Sequence, residues 1–287
     1  MMLVDTITQG LLLGGLYALF AAGLSLVFGI MRLVNLAHGD LIIMAAYLIL
    51  GIAMALNLHP FVAVLLAAPI MFGLGWLLQT HLLNRVLGAD ILPPLLVTFG
   101  LSVVIQNGLL EGFTADSRKL TAGSIEAQAV HLGPVTLGVM PLLTFLSAVA
   151  VVFALNQLFY RTALGRAFRA TSDDAVTAQL MGIRPQKVFA MATGIALVVA
   201  TIAALFLGTR ANFDPSIGPA RLLYAFEAVI IGGLGSLWGT LAGGIVIGVA
   251  QALGASVNPE WQILSGHIAF VLVLLLRPRG LFPRAND

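Results

Sequence analysis

The sequence predicts an all-α fold: a polytopic transmembrane helical bundle of about nine spans (eight to ten), built as an inverted-topology repeat with one polar helical segment between its halves. Three observations predict it. Of the 287 residues, 60% are hydrophobic and 9% are charged, against about 25% charged in a soluble domain. The apolar residues gather in runs near the 20 or so that a helix needs to cross a bilayer core. The basic residues fall unevenly among the breaks between those runs, as the positive-inside rule requires of membrane loops. One membrane domain over 1–287 therefore uses this length better than the two soluble domains that about 150 residues apiece suggests. A net charge of +2 without a basic run gives no footing for nucleic acid, and zero cysteines exclude disulfides, thiol catalysis and cysteine metal sites. The opening MMLVDTITQG lacks the positive n-region of a secretory signal, so the first run reads as a retained span.

In chain order, residues 7–30 carry no charge, and Gly10, Gly14, Ala18 and Ala22 fall four apart along them. That stripe of small residues lets another helix approach closely. A polar break at 31–40 leads to spans at 41–56 and 61–79, the latter holding Pro69 as an expected kink. His81, Asn84 and Arg85 mark a second break before the span at 93–110. There Thr98, Ser102 and Gln106 share a face, which points into a water-lined path or simply hydrogen-bonds a neighbouring helix. The long loop at 111–141 carries Asp116, Arg118, Lys119, Glu126 and a Gly133-Pro134 turn, with room for a short surface helix. Further spans are expected at 142–159, 188–208, 222–238, 240–257 and 263–276. The span at 222–238 is interrupted by glycine, and Gly239, Gly243, Gly244 and Gly248 form overlapping GxxxG patterns in the next.

With nine crossings and the amino end outside, Arg32, Arg85, Arg161, Arg166, Arg169, Arg184, Lys187, Arg277, Arg279 and Arg284 lie inside, and Arg118, Lys119, Arg210 and Arg221 outside. This ten-to-four bias supports the orientation and favours a true crossing at 222–238, since a re-entrant loop there puts the basic carboxyl end outside. The expected organisation is a first repeat unit at 6–112, an external loop at 113–141, a linking span at 142–159, a cytoplasmic coupling segment at 160–186, a second repeat at 187–276 and a cytoplasmic tail at 277–287. One linking helix makes the units start on opposite sides, the inverted plan of many transporters.

Residues 160–183 read YRTALGRAFRATSDDAVTAQLMGI. Thr171, Ser172 and Asp173 offer N-cap side chains for a short helix, Gly182 offers a residue to end it, and Pro185 resists continuation. The small residues let it lie against another surface. It is either a helix-turn-helix that passes force from a partner into the bundle or an ordinary solvated loop. Gly165-Arg166-Ala167, Arg169-Ala170, Asp173, Ala178 and Gly182-Ile183 resemble the coupling segment of bacterial ABC-importer permeases, most nearly branched-chain amino acid permeases of the LivH type. GLYALFAAGLSLVFGIMRLVNLAHGDLIIMAAYL at 15–48 and FEAVIIGGLGSLWGTLAGGIVIG at 226–248 resemble the same family. The resemblance implies a multi-pass subunit of the bacterial inner membrane that moves branched-chain or related small amino acids or amides. It implies a second, homologous permease, two ABC ATPase subunits and a periplasmic substrate-binding protein as partners, with ATPase-coupling residues Gly165, Arg166, Arg169, Ala170, Asp173, Ala178 and Gly182.

No enzyme signature is present. Neither lysine, Lys119 or Lys187, follows a GxxxxG loop, and no GxSxG or HExxH motif occurs. No catalytic residue, metal site or cofactor is expected, and ATP has to be bound by partner subunits. Glu227 stands alone in an apolar run, where a carboxylate costs about 2.5–3.5 kcal/mol on insertion scales. It meets the substrate ammonium, Arg221 or Arg210, or else it is hydrated near the outer interface. Gly232 and Gly233 break the same run, and Asn35, His38 and Gly39, with Asp40, occupy what reads as the corresponding break in the first unit. Both breaks are candidates for the substrate path, while tight helix packing accounts for the glycines equally well. Alternatives in cargo and drive are a urea or short-amide ABC permease and a stand-alone ion-coupled transporter using Glu227 and His38.

Overall fold

Eleven helices follow one another among the described residues of this computed structural model, which are 2–88, 90–132 and 135–282. They are α1 (Met2–Met31), α2 (His38–Leu56), α3 (Pro60–His81), α4 (Leu92–Phe113), α5 (Val139–Arg161), α6 (Ala163–Asp173), α7 (Ala175–Leu180), α8 (Pro185–Arg210), α9 (Gly218–Gly232), α10 (Leu237–Val257) and α11 (Trp261–Leu276). Proline stands in the first turn of α3, α4, α8 and α9, where its missing N–H is no loss. Among the described residues, seven helices are long and apolar enough to cross a membrane. Of the shorter helices, α11 is apolar over 16 residues, and α9, with Arg221 and Glu227 in it, has 15. Outward faces stay apolar, with Leu65, Leu96, Val104 and Leu275 all exposed, as for a bundle whose surface meets hydrocarbon.

The two small-residue stripes meet each other. A methyl group on Gly14 would fall 2.5 Å from the Ile245 Cα, and one on Gly10 2.6 Å from the Val249 Cα. α1 and α10 therefore run antiparallel, backbone against backbone. A second pair repeats the arrangement: α8 lies along α3, with Gly75 at the Thr193 carbonyl and Phe61 edge-on to Phe206. In this reciprocal packing the first helix of each expected unit lies along the third of the other.

Two expectations are corrected. The run at 222–238 is not one helix. α9 starts at Gly218 and stops at Gly232, and a turn with Gly233 at φ 102° and Gly235 at φ 77° leads into α10. The Ser236 hydroxyl caps α10 by accepting from the Gly239 N–H at 3.1 Å. α8 and α10 both run against α1, so 211–236 still returns across the bundle. It does so as an inward-folded loop, with Phe213 fully buried beside Tyr47, followed by a short helix. The second correction concerns caps. Thr171, Ser172 and Asp173 lie inside α6, which Thr162 caps, and Asp174 caps a separate α7. Asp173 is succeeded by a better-placed carboxylate, which accepts from both the Val176 and Thr177 N–H groups. Gly182 does end α7, at φ 85°, with its N–H on the Gln179 carbonyl.

The long loop between α4 and α5 holds a 3-10 turn at Gly123–Ala127 and an antiparallel hairpin, β1 (Ala129–Leu132) with β2 (Val135–Gly138), rather than an α-helix. The expected Gly133-Pro134 turn and Arg284 lie outside the described residues. Glu126 binds Lys119 at 2.7 Å and accepts from the Ala122 N–H. The Lys119 bond holds its carboxyl below the ordinary range, and the Thr177 hydroxyl does the same for Asp174. Each depressed carboxyl stabilises its turn fully above its unfolded value, 4.5 for Glu126 and 3.8 for Asp174, and the stabilisation is lost as pH falls through the folded values. Amide exchange at 175–182 and 122–127, corrected for intrinsic rates, is expected to rise between pH 5 and pH 3 while α1 and α8 stay protected. Unchanged protection in both turns would contradict the capping assignment.

Candidate functional site

The chain leaves α1 at Arg32, in a left-handed conformation at φ 51°, and the 32–37 segment turns back into the bundle. α2 therefore begins beside the middle of α1. The Asn35 Oδ1 accepts from the Ala37 N–H at 3.0 Å, and the His38 Nε2 lies 2.9 Å from the Phe20 carbonyl. Asn35 and His38 are both buried. Gly39 sits against the first turn of α9: a side chain there would fall on the Gly218 carbonyl, and one on Gly218 would fall on the Asp40 carboxylate. The first turns of α2 and α9 thus cross at a glycine pair. Asp40 is 1% exposed, and its Oδ2 accepts from the Ser102 hydroxyl at 2.6 Å. Gln106 in turn donates to Ser102 at 3.2 Å. The polar face predicted on α4 does turn inward, and its partner is the carboxylate of Asp40.

Glu227 lies on the same helix as Gly218, nine residues on, or about 13 Å at helical rise. It is 2% exposed and does not pair with Arg210 or Arg221. Its Oε1 lies 2.5 Å from the His267 Nδ1 on α11, and its Oε2 is buried without a protein partner. The imidazole stacks on Tyr224 at 6.2 Å, Tyr224 stacks on Tyr17 at 4.8 Å, and the Tyr17 hydroxyl donates to the Gln251 Oε1 at 2.6 Å. A continuous polar and aromatic chain therefore ties α11, α9, α1 and α10 together around one carboxylate. It can hold a proton or a cation at the Glu227 oxygens, and no nucleophile with an activating base stands in it. His267 was legible in the sequence only as an isolated histidine in an apolar run. Its 40-residue separation from Glu227 gave no spacing to read.

The candidate path residues do not all come together. Asn35, His38 and Gly39 cluster at the α2–α9 crossing, while Gly232 and Gly233 lie at the far end of α9, packed on Gly239 and Gly280. The break that answers 32–37 in the second repeat is 211–217, before α9, and not the glycine turn after it. The turn is instead clasped by the C-terminal segment, through Leu281 N–H to Ile231 carbonyl and Phe282 N–H to Gly232 carbonyl bonds of 2.8 and 3.0 Å.

The coupling candidates share one end of the bundle with that segment. Gly165 is buried where a side chain would strike the Leu158 and Phe159 carbonyls, which lets α6 fold back on α5. Arg169 donates to the Phe159 carbonyl and stands 5.5 Å over the Tyr160 ring, so it is spent internally. Phe168 is fully buried, and the Ser172 hydroxyl donates to the Gly29 carbonyl at 2.8 Å. Ala178 is buried and Ala170 half-buried, whereas Arg166, Asp173 and Gly182 face outward. Beside them α7 exposes Val176, Leu180 and Met181, at 71%, 83% and 80%.

Comparison with known proteins agrees with this architecture. The chain is 29% identical to the high-affinity branched-chain amino acid transport system permease protein BraD of Pseudomonas aeruginosa, covering 98% of this chain and 96% of that one. It is 28% identical to the corresponding permease protein LivH of Escherichia coli, covering 96% and 94%. The permease protein LivM of the same organism matches over half of this chain and a third of its own, at 28% identity. The profile of the branched-chain amino acid transport system permease component matches residues 6–276, and the chain belongs to that family.

Proposed function

We propose that this chain is the membrane-spanning permease of an ABC importer for branched-chain amino acids in the bacterial cytoplasmic membrane, moved by ATPase subunits that grip α6 and α7. The observation that carries the reading is the exposed apolar face of α7, Val176, Leu180 and Met181, next to α6, which Ser172 ties to the Gly29 carbonyl at the basic end of the bundle. A six-residue helix does not cross a membrane and gains nothing by exposing such residues to water. A partner covers them, and Arg166, Asp173 and Gly182 form the rim of the same surface. The chain has no nucleotide motif of its own, so the energy arrives through that contact. A second permease, the same or a related chain such as the LivM relative suggests, completes the path, and a periplasmic binding protein delivers substrate. The site of substrate passage is assigned to the interior bounded by Asn35, His38, Gly39 and Glu227.

Substrate-stimulated ATP hydrolysis by the reconstituted assembly, across a panel of amino acids, urea and short amides, tests the reading. Leucine, isoleucine and valine are expected to stimulate. Stimulation by urea or amides alone reassigns the cargo, and uptake by the isolated chain under an ion gradient replaces the drive with ion coupling through Glu227. Changing Leu180 and Met181 together to aspartate is expected to lower ATPase co-purification roughly 30-fold, the loss of about 2 kcal/mol for an interface hot spot. Undiminished co-purification with the bundle folded moves the docking surface elsewhere.

A further inference from the structure

At the α6–α7 end a cavity of about 290 Å³ opens between α1, α5 and α10, lined by Ser25, Asn156, Ser236, Tyr160 and Trp238 among others. This is close to the roughly 300 Å³ lower bound for small-molecule sites. None of its lining side chains is charged, and the Arg169 guanidinium that stands over the Phe159 and Tyr160 rings is already bonded to the Phe159 carbonyl. The wall nonetheless offers both poles of a neutral zwitterion their partners. The first turn of α10 begins at Leu237, within the lining, and presents the positive end of a helix to an anionic group. Trp238, in the lining, supplies an aromatic ring that an ammonium can meet, whereas the Tyr160 ring already carries the Arg169 guanidinium.

The cavity is also joined to α6. Gly29, Phe159 and Tyr160 line it, and these are the residues that hold α6 from the other side. Ser172 donates to the Gly29 carbonyl, Arg169 donates to the Phe159 carbonyl, and its guanidinium lies over both aromatic rings. A ligand packed against that wall and α6 compete for, or reinforce, one arrangement of the same three residues. Such a ligand shifts α6 by its difference in affinity for the two arrangements.

We propose that this cavity is a regulatory site for a small zwitterion, supplied either by the transported amino acid on the α6–α7 side or by a zwitterionic lipid headgroup, and that filling it restrains α6. The choice of leucine as probe rests on the branched-chain reading of function. Trp76→Phe with Trp261→Phe leaves Trp238 as the only tryptophan of the three. The full-length variant is placed in nanodiscs of phosphatidylglycerol, which lacks the zwitterion, and titrated with leucine. In a parallel arm phosphatidylethanolamine replaces part of the lipid and leucine is omitted. A saturable change in Trp238 emission with leucine assigns the site to the free amino acid, and a change with phosphatidylethanolamine alone assigns it to the headgroup. Asn156→Phe, which fills the cavity, is expected to abolish the response, and Ser25→Ala, which adds no bulk, to weaken it. In the assembled transporter, leucine on the α6–α7 side is expected to slow ATP hydrolysis about fivefold, the low end of ordinary allosteric coupling, and Asn156→Phe to relieve that. Silence of Trp238 in both arms, or a response that both substitutions leave unchanged, overturns the proposal. Failed leucine uptake alongside a responding Trp238 overturns the cargo reading and leaves the cavity standing.

Discussion

Replacing Gly248 by valine is expected to remove folded protein from the membrane, at a cost of at least about 3 kcal/mol, the top of the usual range for overpacking. A Cβ at Gly248 would lie 2.7 Å from the Gly14 Cα and closer still to the Gly10 carbonyl. Those neighbours are backbone, and backbone within a packed helix pair does not swing aside as a side-chain terminus does. The α1 and α10 axes have to separate along their length, and Gly10, Gly14, Gly244 and Ala18 lose their contacts together. Membrane helices associate through such close packing because lipid gives no hydrophobic drive between them. Gly73→Ala is the control. It is also a helical glycine in an apolar run, but a methyl there meets nothing within 4 Å, so it is expected to leave abundance and melting nearly unchanged. Equal loss in both variants would mean that the harm comes from helix propensity or insertion, and the α1–α10 contact would no longer explain the stripes.

The same stripes explain why so much of the fold was legible. Gly10, Gly14, Ala18 and Ala22 announce a close helix contact, and so do Gly239, Gly243, Gly244 and Gly248. The sequence did not say that the two stripes are each other's partner, because spacing fixes a face and not its occupant. Span positions followed from hydropathy, which is a property of the local chain. The errors fell where tertiary structure overrides local pattern. Residues 222–238 read as one apolar run because a left-handed glycine turn at 233–236 removes no hydrophobicity. The break answering 32–37 was assigned to the glycines, since glycine is conspicuous, although the folded-in loop at 211–217 occupies that place. At the candidate site, Glu227 stood out by its cost in an apolar run. His267 did not, because contact between α9 and α11 exists only once the bundle forms.

That contact sets up the sharpest test of the interior. Changing His267 to alanine is expected to destabilise the bundle by about 3 kcal/mol, the low end for breaking a buried pair because His267 is one third exposed. It leaves Glu227 with neither oxygen bonded inside the bundle, since Oε2 already lacks a partner. Glu227→Gln keeps the shape and can still accept from His267, so its melting temperature and membrane abundance are expected to stay near those of the native chain. Its transport is expected to fall at least about tenfold, because an amide cannot neutralise a cationic group arriving at the free Oε2 position. The double change of Glu227 and His267 to leucine separates the two roles: it removes both polar groups, so stability returns while transport does not. Native uptake by Glu227→Gln at native abundance would remove Glu227 from the substrate path and leave the pair as a packing feature joining α9 to α11. Loss of folding in Glu227→Gln equal to that in His267→Ala would mean that the charge itself is structural, and the unpartnered oxygen would then have to be satisfied by something other than a passing substrate.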